Sequence, residues 1–140
     1  MGAESQGNPD AESLARFERE VRQDGRYPLE AFEFLHRGLE VATRLKHGDQ
    51  EERGRRHVSG QELCQALRIL ALQRWGLLAL VVLRHWNVRC TRDFGEMVYL
   101  MIGLDLMGKQ NSDSITDFDD VYDFDEAFGN CQIQLDNEDV

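Results

Sequence analysis

Residues 111–140 contain ten acidic side chains and not one lysine or arginine. The whole chain holds 26 acidic and 16 basic residues, so the first 110 positions are balanced at sixteen of each and the C-terminal thirty carry the entire net charge of −10. That is unfavourable for a surface meant to lie on phosphates, because affinity for nucleic acid rests largely on neutralising them. Cysteine is scarce as well. Cys64, Cys90 and Cys131 are odd in number, widely spaced and without a CxxC pair, which argues against a disulfide framework and points to a reducing cytoplasm. No apolar run is expected to reach the roughly 20 residues that span a bilayer, and Met1 to Asp10 lacks the basic start and apolar stretch of a signal peptide. The phosphate loops GxxxxGK and GxGxxG, the GxSxG elbow and the HExxH helix are all missing.

What is present is organised around His57 to Lys109. Ser59, Gly60, Gln61 and Glu62 form a capping box that starts a helix. Leu63, Ala66, Leu67, Leu70 and Ala71 then recur at helical spacing, and Gly76 offers a stop. Leu77 to Trp86 is apolar nearly all round and is expected to be a buried core helix. Thr91 is the next expected N-cap, with Asp93 in the first turn. Phe94, Met97, Val98, Met101 and Ile102 make the core side of that third helix, and Arg92, Glu96, Tyr99 and Leu100 its other side. Leu104 to Lys109 leads into a first strand, Asn111 to Ser114 supplies turn residues, and Val121 to Asp125 alternates apolar with acidic as a second strand would.

Upstream, residues 1–10 are polar and expected to be disordered. Leu14, Phe17 and Val21 mark an amphipathic helix from about Ala11 to Asp24, and Pro28 opens another that runs to about Leu45. The expected fold is therefore mainly α: two N-terminal helices, then a winged-helix-like three-helix unit with a small C-terminal β-hairpin. Residues 11–129 form one domain, Gln110 to Asp120 the wing, and residues 130–140 an acidic flexible tail. The same pattern also fits a plain helical bundle with an acidic tail.

Candidate chemistry is sparse. Lys46 to Arg56 is wholly polar after Leu45, and its basic end, Arg53, Arg55, Arg56 and His57, is either a solvated linker or an anion-binding patch beside the Ser59 helix start. No His/Cys pair has a tight ligand spacing for zinc. A calcium loop starting at Asp117 meets Asp119 at position three, then fails at Val121 and Tyr122; one starting at Asp113 fails at Ile115. Cys64 sits beside the apolar face as a small core residue, whereas Cys90, next to a helix start and between Arg89 and Arg92, is expected to have a lowered thiol pKa. Asp93, Phe94 and Gly95 spell DFG, but the other kinase segments are absent. No catalytic, cofactor-binding or metal-binding residue is assigned.

The segments RHVSGQEL (Arg56 to Leu63), DFGEMV (Asp93 to Val98) and YDFDEAF (Tyr122 to Phe128), in that order, resemble a family of short, functionally uncharacterised proteins from planctomycetes and verrucomicrobia. The resemblance covers about Phe17 to Phe128 and implies no activity, cofactor or site residue. Three classes of function remain, in this order. The first is a non-catalytic protein-interaction module that presents an acidic surface, through Asp117, Asp119 and Asp120 with exposed Tyr99, Leu100 and Phe118, to a partner with a basic surface. The second is a DNA-binding regulator using the third helix, disfavoured by Asp93, Glu96 and Asp105. The third is a small metal protein or enzyme. Oligomeric state stays open, since no heptad run fixes a dimer.

Overall fold

The computed structural model describes residues 9–48, 57–108 and 113–129. It is mainly helical. Helix α1 (Pro9–Asp24) docks through Phe17 and Val21. It ends where Gly25 takes a left-handed φ of +76° and its N–H donates to the Val21 carbonyl, a conformation only glycine adopts without strain. Helix α2 (Leu29–His47) follows extended Pro28 and buries Ala31, Phe32, Phe34, Leu35, Gly38 and Ala42. Helix α3 (Gly60–Trp75) buries Leu63, Cys64, Ala66, Leu67 and Ala71, and it lies against α2 where Gly38 has no side chain. A Cβ on Gly38 would stand 2.1 Å from Leu67 Cδ2, so the two helices can approach this closely only at glycine.

The capping box of α3 forms as its sequence requires: the Glu62 N–H donates to Ser59 Oγ at 3.1 Å and the Ser59 N–H to Glu62 Oε1 at 2.8 Å. Lys46 Nζ reaches the same carboxylate oxygen at 3.0 Å, tying the end of α2 to the start of α3. After Gly76 a single 3-10 turn (Gly76–Leu78) leads to α4 (Ala79–His85), then α5 (Thr91–Gly103), a 3-10 turn (Ile115–Phe118) and a helical stretch at 124–129. One core joins the five α-helices, the Ile115–Phe118 turn and the 124–129 stretch. Phe34 packs between Trp75 and Trp86 at centroid distances of 5.1 and 5.8 Å, and Phe94, Phe124 and Phe128 form its other end.

Three expectations need correction. First, α4 is not buried all round: Ala79 and Leu83 are fully buried, but Leu77, Leu78 and Val81 are 37, 61 and 62 % exposed. The turn at Gly76, with φ +49°, re-aims the chain so that only the Ala79–Leu83 side of α4 meets the core. Second, Gly60–His85, whose most apolar 18 residues average a hydropathy of 1.7, is long and apolar enough by length and composition to cross a membrane. Here its α3 half builds the core, and the break at Gly76 splits it. Third, no strand occurs among the described residues. Where the hairpin was expected, Leu104 and Asp105 close a turn onto Leu100, Met101 and Ile102, and 113–129 holds a 3-10 turn, bends and a helical stretch. Val121 to Asp125 alternates, but Phe124, Ala127 and Phe128 are buried together at helical spacing, with Asp123 accepting the Asp125 and Ala127 amides at the start of that turn. Burial of the 3–4 spaced set outweighs the two-residue alternation. The described residues are thus mainly helical, without the hairpin. Of residues 1–10, expected to be disordered, Pro9 and Asp10 already belong to α1; residues 1–8, residue 109 of the expected first strand, 110–112 of the expected wing and the expected acidic tail at 130–140 lie outside the described residues.

Candidate functional site

The segment 114–122 is fastened across the start of α3 and along α5. Ser114 and Asp117 form a reciprocal cap around its 3-10 turn: the Ser114 N–H donates to Asp117 Oδ2 at 3.0 Å, and Ser114 Oγ accepts the Thr116 N–H at 3.2 Å. Phe118 then wedges between two glycines. A Cβ on Gly60 would be 2.9 Å from the Phe118 ring and one on Gly95 2.8 Å from it, so both positions must lack a side chain for the ring to enter. Buried Thr91 locks the backbone behind the wedge, donating to the Phe118 carbonyl at 2.6 Å and accepting the Val121 N–H at 3.2 Å. Tyr122 Oη donates to the Cys64 carbonyl at 2.6 Å, and burial pushes its phenol well above the ordinary range.

Beside the wedge lies a cavity of about 590 Å³, within the size range of small-molecule and side-chain sites. Its walls are aliphatic: Leu39, Leu63, Val98, Ile102, Leu106 and Met107. Its polar members are His57, Ser59, Tyr99, Asp113, Ser114 and Asp117, and none of the described residues lining it is lysine or arginine. His57 Nε2 meets Asp113 Oδ1 at 3.1 Å, while His47 Nε2 donates to the His57 carbonyl at 3.0 Å and fixes that stretch of backbone. The Tyr99 hydroxyl is shielded from solvent without a hydrogen-bond partner. Burial, then the charges of Asp113 and Asp117, hold the Tyr99 phenol above its usual pKa. The cavity thus joins an aliphatic lining to two carboxylates, each with a partner within the chain. Among the described residues, Ser114 Oγ is engaged by Thr116 and His57 Nε2 meets the Asp113 carboxylate.

Of the expected partner-binding residues, Tyr99, Asp117 and Phe118 converge on this cavity, and His57 of the basic set joins them. Phe118 was expected on the surface but is 4 % exposed, because the Gly60–Gly95 gap admits its ring. Leu100 is half-buried against the core. Asp119 is drawn instead to Arg92, whose guanidinium donates to it at 2.8 Å and to Glu96 at 3.2 Å, and Asp120 is exposed with φ +52°. Arg53, Arg55 and Arg56 lie outside the described residues. Asp113 was weighed only as the start of a calcium loop and Ser114 only as a turn residue, although S-I-T-D at 114–117 is a capping-box spacing that marks a helical turn.

Two further positions differ from expectation. The N-cap of α5 is Cys90, not Thr91. Asp93 Oδ2 accepts the amides of Arg89 and Cys90 at 2.8 and 3.2 Å, while its Oδ1 accepts Tyr27 Oη at 2.5 Å. With that carboxylate 3.6 Å from Sγ, and with partial burial as the larger cause, the Cys90 thiol is raised above its ordinary pKa and not lowered. The charges of α5 are likewise taken up within the chain, since Arg26 donates to Glu96 at 3.1 Å. Among the described residues no three His, Cys, Asp or Glu side chains come close enough to hold a metal. No protein-family model, no curated protein and no solved structure matches this chain.

Proposed function

We propose that this chain is a non-catalytic protein-interaction module of the reducing cytoplasm, which docks a partner with a basic surface at the acid-rimmed cavity. The observation that carries the reading is the placement of Asp113 and Asp117 over an aliphatic wall with no described lysine or arginine among the lining residues. Exposed Asp120, Asp123 and Glu126, on the segment that follows, add negative potential to steer a basic partner in. A DNA-binding role for α5 gains no support from its surface, where Arg92 is spent on Glu96 and Asp119. The motifs that resemble the planctomycete and verrucomicrobial family supply the Ser59 cap, the Gly95 gap that admits Phe118 and the Tyr122 tether; of these Ser59 lines the cavity.

Affinity capture from the native cell extract, at low and high salt and with and without nuclease, tests the proposal. A bound protein that survives nuclease and is released by salt is expected. Recovery that vanishes with nuclease would overturn the reading in favour of nucleic-acid binding.

A further inference from the structure

Independently of that reading, we propose that the exposed aliphatic face of α4 is the docking site of this chain's own residues 130–140, which lie outside the described residues. Leu77, Leu78 and Val81 are exposed on that face, while Ala79 and Leu83 on the other side of α4 are fully buried. Val81 follows Leu77 and Leu78 by four and three residues, and exposed Arg84 and His85 follow Val81 by three and four. At that spacing the five side chains make one strip, aliphatic at its start and basic at its end. Exposed Arg74 precedes the strip across the Gly76 turn, its guanidinium 6.0 Å from the Trp75 ring centre.

Charge and continuity select the occupant. The thirty residues from Leu63 to Arg92 hold five arginines and no aspartate or glutamate, whereas residues 111–140 hold ten acids and no lysine or arginine. Where 113–129 meets the arginine-bearing stretch the two pair off: Arg92 with Asp119 at 2.8 Å and Arg84 with Asp125 at 3.2 Å. Tyr122 adds its hydrogen bond to the Cys64 carbonyl. The eleven residues after Gly129 repeat the composition, with Asp136, Glu138 and Asp139 and no base, and they bring two aliphatic side chains, Ile133 and Leu135. A second copy meeting this face with its own would set arginine against arginine.

The lengths agree. Asp125 is at Arg84, and the described chain ends four residues later at Gly129. Along α4, Val81 lies about 5 Å and Leu78 about 9 Å from the level of Arg84. Eleven extended residues span up to about 36 Å, so Ile133 and Leu135 reach the strip with chain to spare. Ordering that segment offsets most of what so small an apolar contact contributes. The contact is therefore read by proximity and not by unfolding.

Paramagnetic broadening in the full chain tests it, with a nitroxide attached through Asn137→Cys in a Cys90→Ser/Cys131→Ser background. Cys64 is buried and escapes the label, and serine is a favoured residue at the N-cap that Cys90 occupies. The Leu77, Leu78 and Val81 methyl signals are expected to be lost and to return when the nitroxide is reduced. They should also return in Ile133→Ser/Leu135→Ser. Undiminished signals with the nitroxide in place would overturn the proposal, and so would equal broadening in the serine variant, which shows tethering without docking. Broadening of an isotope-labelled, nitroxide-free chain by a nitroxide-bearing, unlabelled one would also overturn it, giving the face to the tail of a second copy.

Discussion

Gly95 is set by Phe118 rather than by helix formation. Alanine in a helix interior is favoured over glycine by about 1 kcal/mol, yet a Cβ there would lie 2.8 Å from Phe118 Cγ. The ring cannot retreat, because Gly60 bounds its other side and Thr91 holds its backbone. Overpacking of this kind costs about 1–3 kcal/mol, so Gly95→Ala should destabilise in a urea titration, and a gain in stability would show that the wedge is not as described. Cysteine chemistry gives a second check at this scale. Burial pushes the Cys64 thiol up to about 12, so at about pH 8 its thiolate is scarce as well as inaccessible. Mass-resolved alkylation should leave Cys64 unmodified until denaturant is added, whereas exposed Cys90 reacts in the folded chain.

At the scale of elements, α4 and the α3 cap make separate claims. Leu83 is fully buried and Val81 is 62 % exposed two residues away. Leu83→Ala should therefore cost about 2–5 kcal/mol, and Val81→Ser should stay within about 0.5 kcal/mol. Comparable losses for both would return α4 to an all-round buried helix. In the cap, burial works to raise the Glu62 pKa, but the Ser59 amide and the Lys46 ammonium outweigh it and hold the carboxyl below its ordinary value of 4.5. A depressed folded-state pKa contributes stability above the unfolded value and loses it as pH falls through the folded one. Acidification from about pH 5 to pH 3 should thus cost the wild type more than Glu62→Gln, which retains the cap geometry without the titration. An equal loss in both would remove Glu62 from the acid response.

The α3 cap and the buried faces of α3 and α5 were legible because capping boxes and 3.6-residue spacing are local signals. Local signals also misled. Tyr122 and Phe124 alternate with acids, and only their packing against Phe94 and Phe128 shows a helical turn. An all-round apolar α4 says nothing of how many neighbours exist to cover it. The cavity was half visible: Tyr99, Asp117 and Phe118 were named, but its walls come from Leu39 to Phe118 and no sequence window spans them.

For the molecule as a whole, the central claim is that one basic partner docks where Asp113 and Asp117 face the aliphatic wall. In that proposal the charge excess of the C-terminal thirty residues serves approach and the cavity retention. Neutralising Asp120 and Asp123 should therefore mainly slow association and flatten its salt dependence. The most direct measurement is the Kd of the captured partner, purified, for the wild type and for Asp113→Asn/Asp117→Asn side by side. The account expects a loss of at least about tenfold, carried by faster dissociation. An unchanged Kd would contradict it and move the docking site away from the cavity.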